Sequence, residues 1–237
     1  MSASLPAYNR DAIKPLACLQ TGWSLIKDKY WLFVGITGVG ILIGSLGPMA
    51  ILLGPMMCGI YLCLFARLRG ESVSFELLFK GFDHFAQSFI ATLIQIIPAS
   101  VLLVPAYIIF FIMFMGRMKA MGARPRGAPA DLSELYPLFI MWGAMILVVI
   151  LVSALAGAFF IFTYPLIVDR RLQALDAIKT SIRAAMANLG GVLGLLGLNM
   201  VLGIIGLMLC YVGAIALMPI SFASWAVAYR QVFPAER

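Results

Sequence analysis

Long uncharged stretches alternate with segments that hold all the charged residues. Residues 31–66, 86–116, 137–168 and 190–229 carry no charge at all. The first stretch is long enough for two short helices at roughly 20 residues per span. Gly47-Pro48 supplies a turn in its middle, since proline cannot continue a helix and glycine tolerates the bend. The pattern therefore predicts spans at 31–47 and 49–66. Residues 86–116 would make roughly 46 Å of straight helix, which exceeds a hydrocarbon core of about 30 Å. That span must tilt, protrude or kink, with Pro98 and Pro105 as kink points. A re-entrant pair broken at Pro98 is the alternative. Residues 137–168 form another span. Residues 190–229 divide into 190–209 and 212–229 around a turn near Cys210–Gly213.

The segments between these runs have two-sided patterns. In 73–85, Phe75, Leu78, Phe79, Phe82 and Phe85 recur at three- and four-residue spacing and continue to Phe89, while Glu76, Lys80 and Asp83 fall on the other side. This predicts an amphipathic helix, with Ser72 or Ser74 as its cap. In 171–188, Leu172, Leu175, Ile178, Ile182 and Ala185 share a face that extends to Leu189. Arg171, Asp176, Lys179, Thr180 and Arg183 lie mostly opposite. Residues 10–29 are a weaker case, with Leu19, Trp23 and Ile26 on one face that continues to Tyr30. Each amphipathic leader precedes a pair of apolar runs. The first and third pairs share glycine-rich first helices, a tight turn and a proline in the second helix, at Pro55 and Pro219. An internal repeat and the common constraints of a membrane hairpin both produce that likeness.

Composition agrees with the periodicity. Of the 237 residues, 63% are hydrophobic and 11% charged, against about 25% charged in an ordinary soluble domain. Mean hydropathy is +1.02. The expected fold is all-α: one polytopic membrane helical bundle over 1–237, with about six transmembrane helices and two or three amphipathic helices on the cytoplasmic face. No short basic start and early apolar core precede the first span, so it is expected to stay as a permanent anchor.

The net charge of +7 decides orientation rather than function class. With six spans and the N-terminus inside, the cytoplasmic segments hold Arg10, Lys14, Lys27, Lys29, Arg67, Arg69, Lys80, Arg170, Arg171, Lys179, Arg183, Arg230 and Arg237, which is 13 of the 17 basic residues. The loop 117–136 holds the other four, Arg117, Lys119, Arg124 and Arg126. The split favours both termini in the cytoplasm. Dispersed in short loops, the basic residues suit anionic phospholipids and not nucleic acid.

The sequence offers little chemistry. His84 is the lone histidine, and Cys18, Cys58, Cys63 and Cys210 form no CxxC pair, so no metal and no cofactor are expected. No span interior carries an ionisable residue of the kind that marks proton pathways. Two arginine clusters follow spans: Arg67 and Arg69 before Glu71, and Arg170 and Arg171 after Asp169. They read as membrane anchors and topology signals, or as a pocket for an anionic headgroup or solute. Gln95 and Asn199 suit interhelical hydrogen bonds. Gly40 with Gly44, Gly190 with Gly194, and Ser153 with Gly157 suit close helix packing.

Arg69-Gly70-Glu71 followed by Leu78-Phe79-Lys80-Gly81-Phe82, and Pro165-Leu-Ile-Val-Asp169-Arg170 followed by Ala177-Ile178-Lys-Thr-Ser181, resemble a set of uncharacterised bacterial integral membrane proteins. That set is similar to the membrane domain of glycerophosphodiester phosphodiesterases. The resemblance implies a bacterial inner-membrane bundle and brings no catalytic residues. The expectation is a non-catalytic membrane protein, a scaffold or accessory subunit with a membrane-protein partner or a second copy. The alternative is a small transporter or lipid-handling protein that takes an anionic group at its cytoplasmic face.

Overall fold

The computed structural model describes residues 6–46, 51–122, 135–209 and 212–234, and all regular structure among them is helical. In chain order the helices are α1 (Pro15–Ile26), α2 (Tyr30–Leu46), α3 (Leu53–Leu68), α4 (Phe85–Gly122), α5 (Leu135–Phe160), α6 (Thr163–Arg170), α7 (Ala174–Ala187), α8 (Leu189–Met208) and α9 (Val212–Val232). A 3₁₀ turn at Lys27–Lys29 joins α1 to α2, and a 3₁₀ segment at Phe75–His84 precedes α4. The Gly47-Pro48 turn, Cys210 and most of the loop 117–136 lie outside the described residues.

Five helical stretches are long and apolar enough to cross a membrane: Pro15–Leu46, Phe75–Lys119, Tyr136–Arg170, Leu189–Met208 and Val212–Val232. The remaining apolar helix, Leu53–Leu68, has 16 residues, or ~24 Å. The protein is an all-α membrane protein. Packing divides the chain into one unit of Met1–Ile94 with Ala158–Arg237 and another of Gln95–Gly157.

The first unit holds the buried core. Phe33 and Ile36 of α2, Ile60, Tyr61 and Phe65 of α3, and Ala226 and Tyr229 of α9 are sealed from solvent. Helix α1 crosses α9 at Gly22, where an ideal Cβ would come 2.8 Å from the Ser224 backbone nitrogen. Its buried ridge is Cys18, Gly22 and Ile26, whereas Trp23, expected on the apolar face, is 44% exposed. Asn188, between α7 and α8, fastens the N-terminal strap. Its side chain accepts from Ala12 N–H at 2.8 Å and donates to the Asn9 carbonyl at 2.9 Å.

Three predicted elements differ in detail. Residues 75–84 form a 3₁₀ segment, not an α-helix, and Ser74 makes no side-chain cap. In a 3₁₀ helix side chains at i and i+3 eclipse. Leu78 and Gly81 therefore share the buried ridge, and Phe79, Phe82 and Phe85 turn outward. The cause lies in α3. A Cβ on Gly59 would collide with the Leu78 carbonyl oxygen, and one on Gly81 with that of Pro55. The two backbones touch.

The run 137–168 breaks into α5 and α6. Pro165 has no N–H and its ring clashes with a carbonyl four residues back. Ser181 of α7 closes the break: its Oγ accepts from Phe162 N–H at 3.1 Å and donates to the Phe159 carbonyl at 2.9 Å. In α7 the small residues Ala174, Ala177, Ser181, Ala184 and Ala185 are buried with Ile178, and Leu175 is 57% exposed. Short side chains let α7 approach α6 closely; of the expected apolar face, Ile178 and Ala185 are buried, Leu172 and Ile182 pack partly buried against the core, and Leu175 and Leu189 are exposed.

The second unit is two apolar helices. Helix α4 runs unbroken through Pro98 and Pro105, so no re-entrant break occurs at Pro98. Trp142 of α5 meets Phe110 and Phe114 of α4 edge-on, with ring centroids 5.2 and 6.3 Å apart. Leu102, Ile112, Phe139 and Ile140 are each at least 60% exposed. Such a surface suits lipid or another apolar helix and not water.

Candidate functional site

The polar residues of the first unit concentrate where α3, α6 and α9 end. Asp169, in the last turn of α6, is the centre. Arg230 of α9 grips it bidentately, Nη2 to Oδ1 at 2.6 Å and Nη1 to Oδ2 at 3.0 Å. Tyr229 donates its hydroxyl to Oδ2 at 2.8 Å, and Arg170 Nε is 3.4 Å from the same oxygen. The Arg230 guanidinium also lies 4.7 Å from the centroid of the Phe65 ring in α3, a favourable place for a delocalised cation. Arg170 donates onward to the Pro234 carbonyl at 2.7 Å. The side chains of Asp169 and Arg170 are 13% exposed and that of Arg230 is 20% exposed.

The cluster after α3 is equally engaged. Arg67 donates from Nε to the Leu25 carbonyl at 2.9 Å and from Nη2 to Asp28 at 3.0 Å. Arg69 and Glu71 pair bidentately at 2.6 and 2.9 Å. The Glu71 hydrogen bond, with help from the nearby charge of Asp169, raises the Arg69 pKa, and the Arg69 hydrogen bond lowers that of Glu71.

Arg171 is different. It caps α6 in a left-handed conformation with φ 49°. It lines a cleft of about 410 Å³ with Asp83, His84, Gln87, Ile167 and Leu172. The four arginines singled out in the sequence thus separate: Arg67 and Arg170 serve tertiary contacts, Arg69 pairs locally with Glu71, and Arg171 alone of them opens on a cleft.

The residues expected to pack between helices also divide. Asn199 donates to Ser224 Oγ of α9 at 3.3 Å and to the Leu195 carbonyl of its own helix at 2.8 Å. Gln95 Nε2 is buried without a hydrogen-bond partner among the described residues. A Cβ on Gly40 would meet Ile60 at 3.1 Å, one on Gly44 would meet Leu53 at 3.2 Å, and one on Gly194 would meet Pro15 at 2.9 Å. Gly190 faces open space, as does Gly157. Instead, the neighbouring Gly191 makes the close approach, 2.5 Å from Ile13 Cβ. A one-residue shift on a helix turns a position by about 100°, so of the Gly190/Gly194 pair only Gly194 packs, and Gly191 takes the place expected of Gly190. The tightest approaches, Gly59 and Gly81, fall outside any GxxxG motif because they join a helix to a 3₁₀ segment.

Cys18, Cys58 and Cys63 are buried free thiols. Among the described residues no three His, Cys, Asp or Glu side chains gather as a metal site. No protein-family model, curated protein or solved structure matches the chain.

Proposed function

We propose that the protein is a non-catalytic component of a bacterial inner membrane, a scaffold or accessory subunit that packs against a protein partner or a second copy of itself. The observation that carries this reading is the internal engagement of Arg67, Arg69 and Arg170 by Asp28, Glu71, Asp169 and backbone carbonyls. A carrier using these guanidinium groups for an anionic solute would have to break its own ion pairs at every cycle. Arg67 serves better as a fixed staple from the end of α3 to α1 and the Lys27–Lys29 turn, and Arg170 as one from α6 to the segment after α9. The apolar surface of Gln95–Gly157 supports a role in contact with neighbours in the bilayer. With Leu53–Leu68 as a sixth crossing, the distribution of basic residues supports both termini in the cytoplasm under the positive-inside rule.

The test is photo-crosslinking in native nanodiscs, with a photoreactive residue at Leu102 or Phe139. A discrete protein adduct of fixed stoichiometry is expected. Its mass is that of the partner, or doubles the 25.8 kDa chain if the partner is a second copy. Lipid adducts alone at both positions, together with thermal stabilisation by inorganic phosphate that Arg69→Ala abolishes, would overturn the reading in favour of anion handling.

A further inference from the structure

The cleft at Arg171 is built differently from the stapled clusters, and it stands independently of the scaffold reading. Its walls come from the end of the 3₁₀ segment (Asp83, His84), the first turn of α4 (Gln87), α6 (Ile167) and the α6–α7 link (Arg171, Leu172). Two opposite charges line it, yet neither Asp83 nor Arg171 forms an ion pair among the described residues, with each other or with anything else. Every other arginine near these helix ends has a carboxylate partner. Gln87 gives its Oε1 to Ala174 N–H at 2.8 Å, which leaves its NH₂ group for a ligand. Arg171 also holds a left-handed backbone conformation that a long side chain rarely adopts, and such outliers gather at binding sites.

An unpaired carboxylate and an unpaired guanidinium in one cleft fit a ligand that carries both signs. The guanidinium fork suits a phosphate. The carboxylate suits an ammonium that can donate N–H bonds. A volume of about 410 Å³ lies in the ordinary range of ~300–1,000 Å³ for small-ligand sites. Beside the cleft, Phe82, Phe85 and Phe89 stack in a ladder, with centroid spacings of 6.5 and 5.8 Å. Phe82 and Phe85 are over a third exposed, an apolar track of the kind an acyl chain lies along. We propose that this cleft holds the headgroup of a phosphoethanolamine lipid: Arg171 on the phosphate, with His84 and Gln87 adding N–H donors, Asp83 on the primary ammonium, and an acyl chain against the phenylalanine ladder. An anionic headgroup would face Asp83 with like charge. A trimethylammonium headgroup would offer that carboxylate no N–H.

Native mass spectrometry of the full chain in mild detergent tests this, with titrations of phosphatidylethanolamine, phosphatidylcholine and phosphatidylglycerol of the same acyl chains, and of free phosphoethanolamine. The ethanolamine lipid should bind about tenfold tighter than the other two, the size of one charge-assisted hydrogen bond. Asp83→Asn should erase that preference. Arg171→Asn should weaken all three lipids by a similar factor while leaving the melting temperature of the lipid-free protein no lower, since asparagine accepts a left-handed backbone. Equal binding of the three lipids overturns the proposal, and so does a preference for the glycerol headgroup. An ethanolamine preference that survives Asp83→Asn also overturns it; Asp83 is exposed and makes no staple, so that variant decides even if Arg171→Asn fails to fold. Free phosphoethanolamine binding as tightly as the lipid would overturn the lipid assignment and make the ligand a soluble zwitterion.

Discussion

Replacing Gly81 with alanine adds one methyl group to the closest backbone approach in the first unit. That methyl would strike the Pro55 carbonyl oxygen and lie 2.5 Å from the Gly59 nitrogen and 2.9 Å from the Gly59 Cα. Comfortable carbon contacts begin near 3.5 Å, so the 3₁₀ segment must retreat from α3 by about 1 Å. No side chain can swing aside, because all three obstacles are backbone. Overpacking a core typically costs ~1–3 kcal/mol, and a rigid neighbour puts this site at about 3 kcal/mol. For a chain of 237 residues that corresponds to a fall in melting temperature of roughly 6–12 °C. The measurement is thermal unfolding of the purified protein in one detergent. Gly59→Ala should behave alike, since its Cβ would meet Leu78. Once either methyl has forced the segment away the other finds room, so the double variant should cost less than the sum. Gly197→Ala in α8 is the control: nothing lies within 4 Å of its Cβ, and alanine favours helix over glycine by up to ~1 kcal/mol. If Gly81→Ala melts within about 1 °C of the parent, or Gly197→Ala falls as far, the backbone contact is not what holds these elements together.

Asp169→Asn removes the carboxylate that Arg230 grips bidentately and should cost about 2–4 kcal/mol, because the Arg230 guanidinium is mostly buried and loses its counter-charge; the same melts read it. Ser181→Ala leaves Phe162 N–H and the Phe159 carbonyl unpaired. It should lower stability by ~1–3 kcal/mol, with hydrogen exchange rising first at the α5–α6 break. Arg171→Asn should raise stability by about 0.5–1 kcal/mol through relief of the left-handed backbone, and an unchanged or lower melting temperature would contradict the strain. Glu71 has a folded pKa below its ordinary value, so its pair with Arg69 stabilises fully above the ordinary carboxylate pKa and loses that contribution as pH falls through the folded value. Arg69→Gln should remove this segment's acid dependence, measured as melting temperature against pH, and the effect should be small because the pair is exposed.

The helix content and the apolar runs were legible because uncharged length is a strong signal for a bilayer. Tyr30–Leu46, Leu189–Met208 and Val212–Val232 start and stop close to where charge and turn residues place them. What the pattern could not carry was the choice of face. At Phe75–His84 the periodicity fits both 3.6 and 3.0 residues per turn. The deciding term is the glycine pair Gly59 and Gly81, about twenty residues apart, which admits a backbone contact only if Leu78 turns inward. In α7 the predicted face is buried at Ile178 and Ala185, but the burial extends to Ala174, Ala177, Thr180, Ser181 and Ala184 and leaves Leu175 exposed. Side-chain size adjusts the buried face in both places.

The arginine clusters make the same point for charge. By sequence, Arg67 and Arg69, and Arg170 and Arg171, are four similar residues following two spans. Their partners separate them: Asp28 is 39 residues from Arg67, and Asp169 is 61 from Arg230. Arg230, at the end of α9, gave no sign in the sequence of being the main counter-ion of the Asp169 motif. Once these pairs form, Arg67 and Arg69 are each matched by a carboxylate, and Arg170 and Arg230 share that of Asp169. Of the four arginines singled out in the sequence, Arg171 is the one that lines the cleft, and Asp83 lines it too. The residual site is therefore dipolar and not cationic. A ligand selected by it must match two charges of opposite sign, which is a narrower requirement than the net charge of +7 suggests.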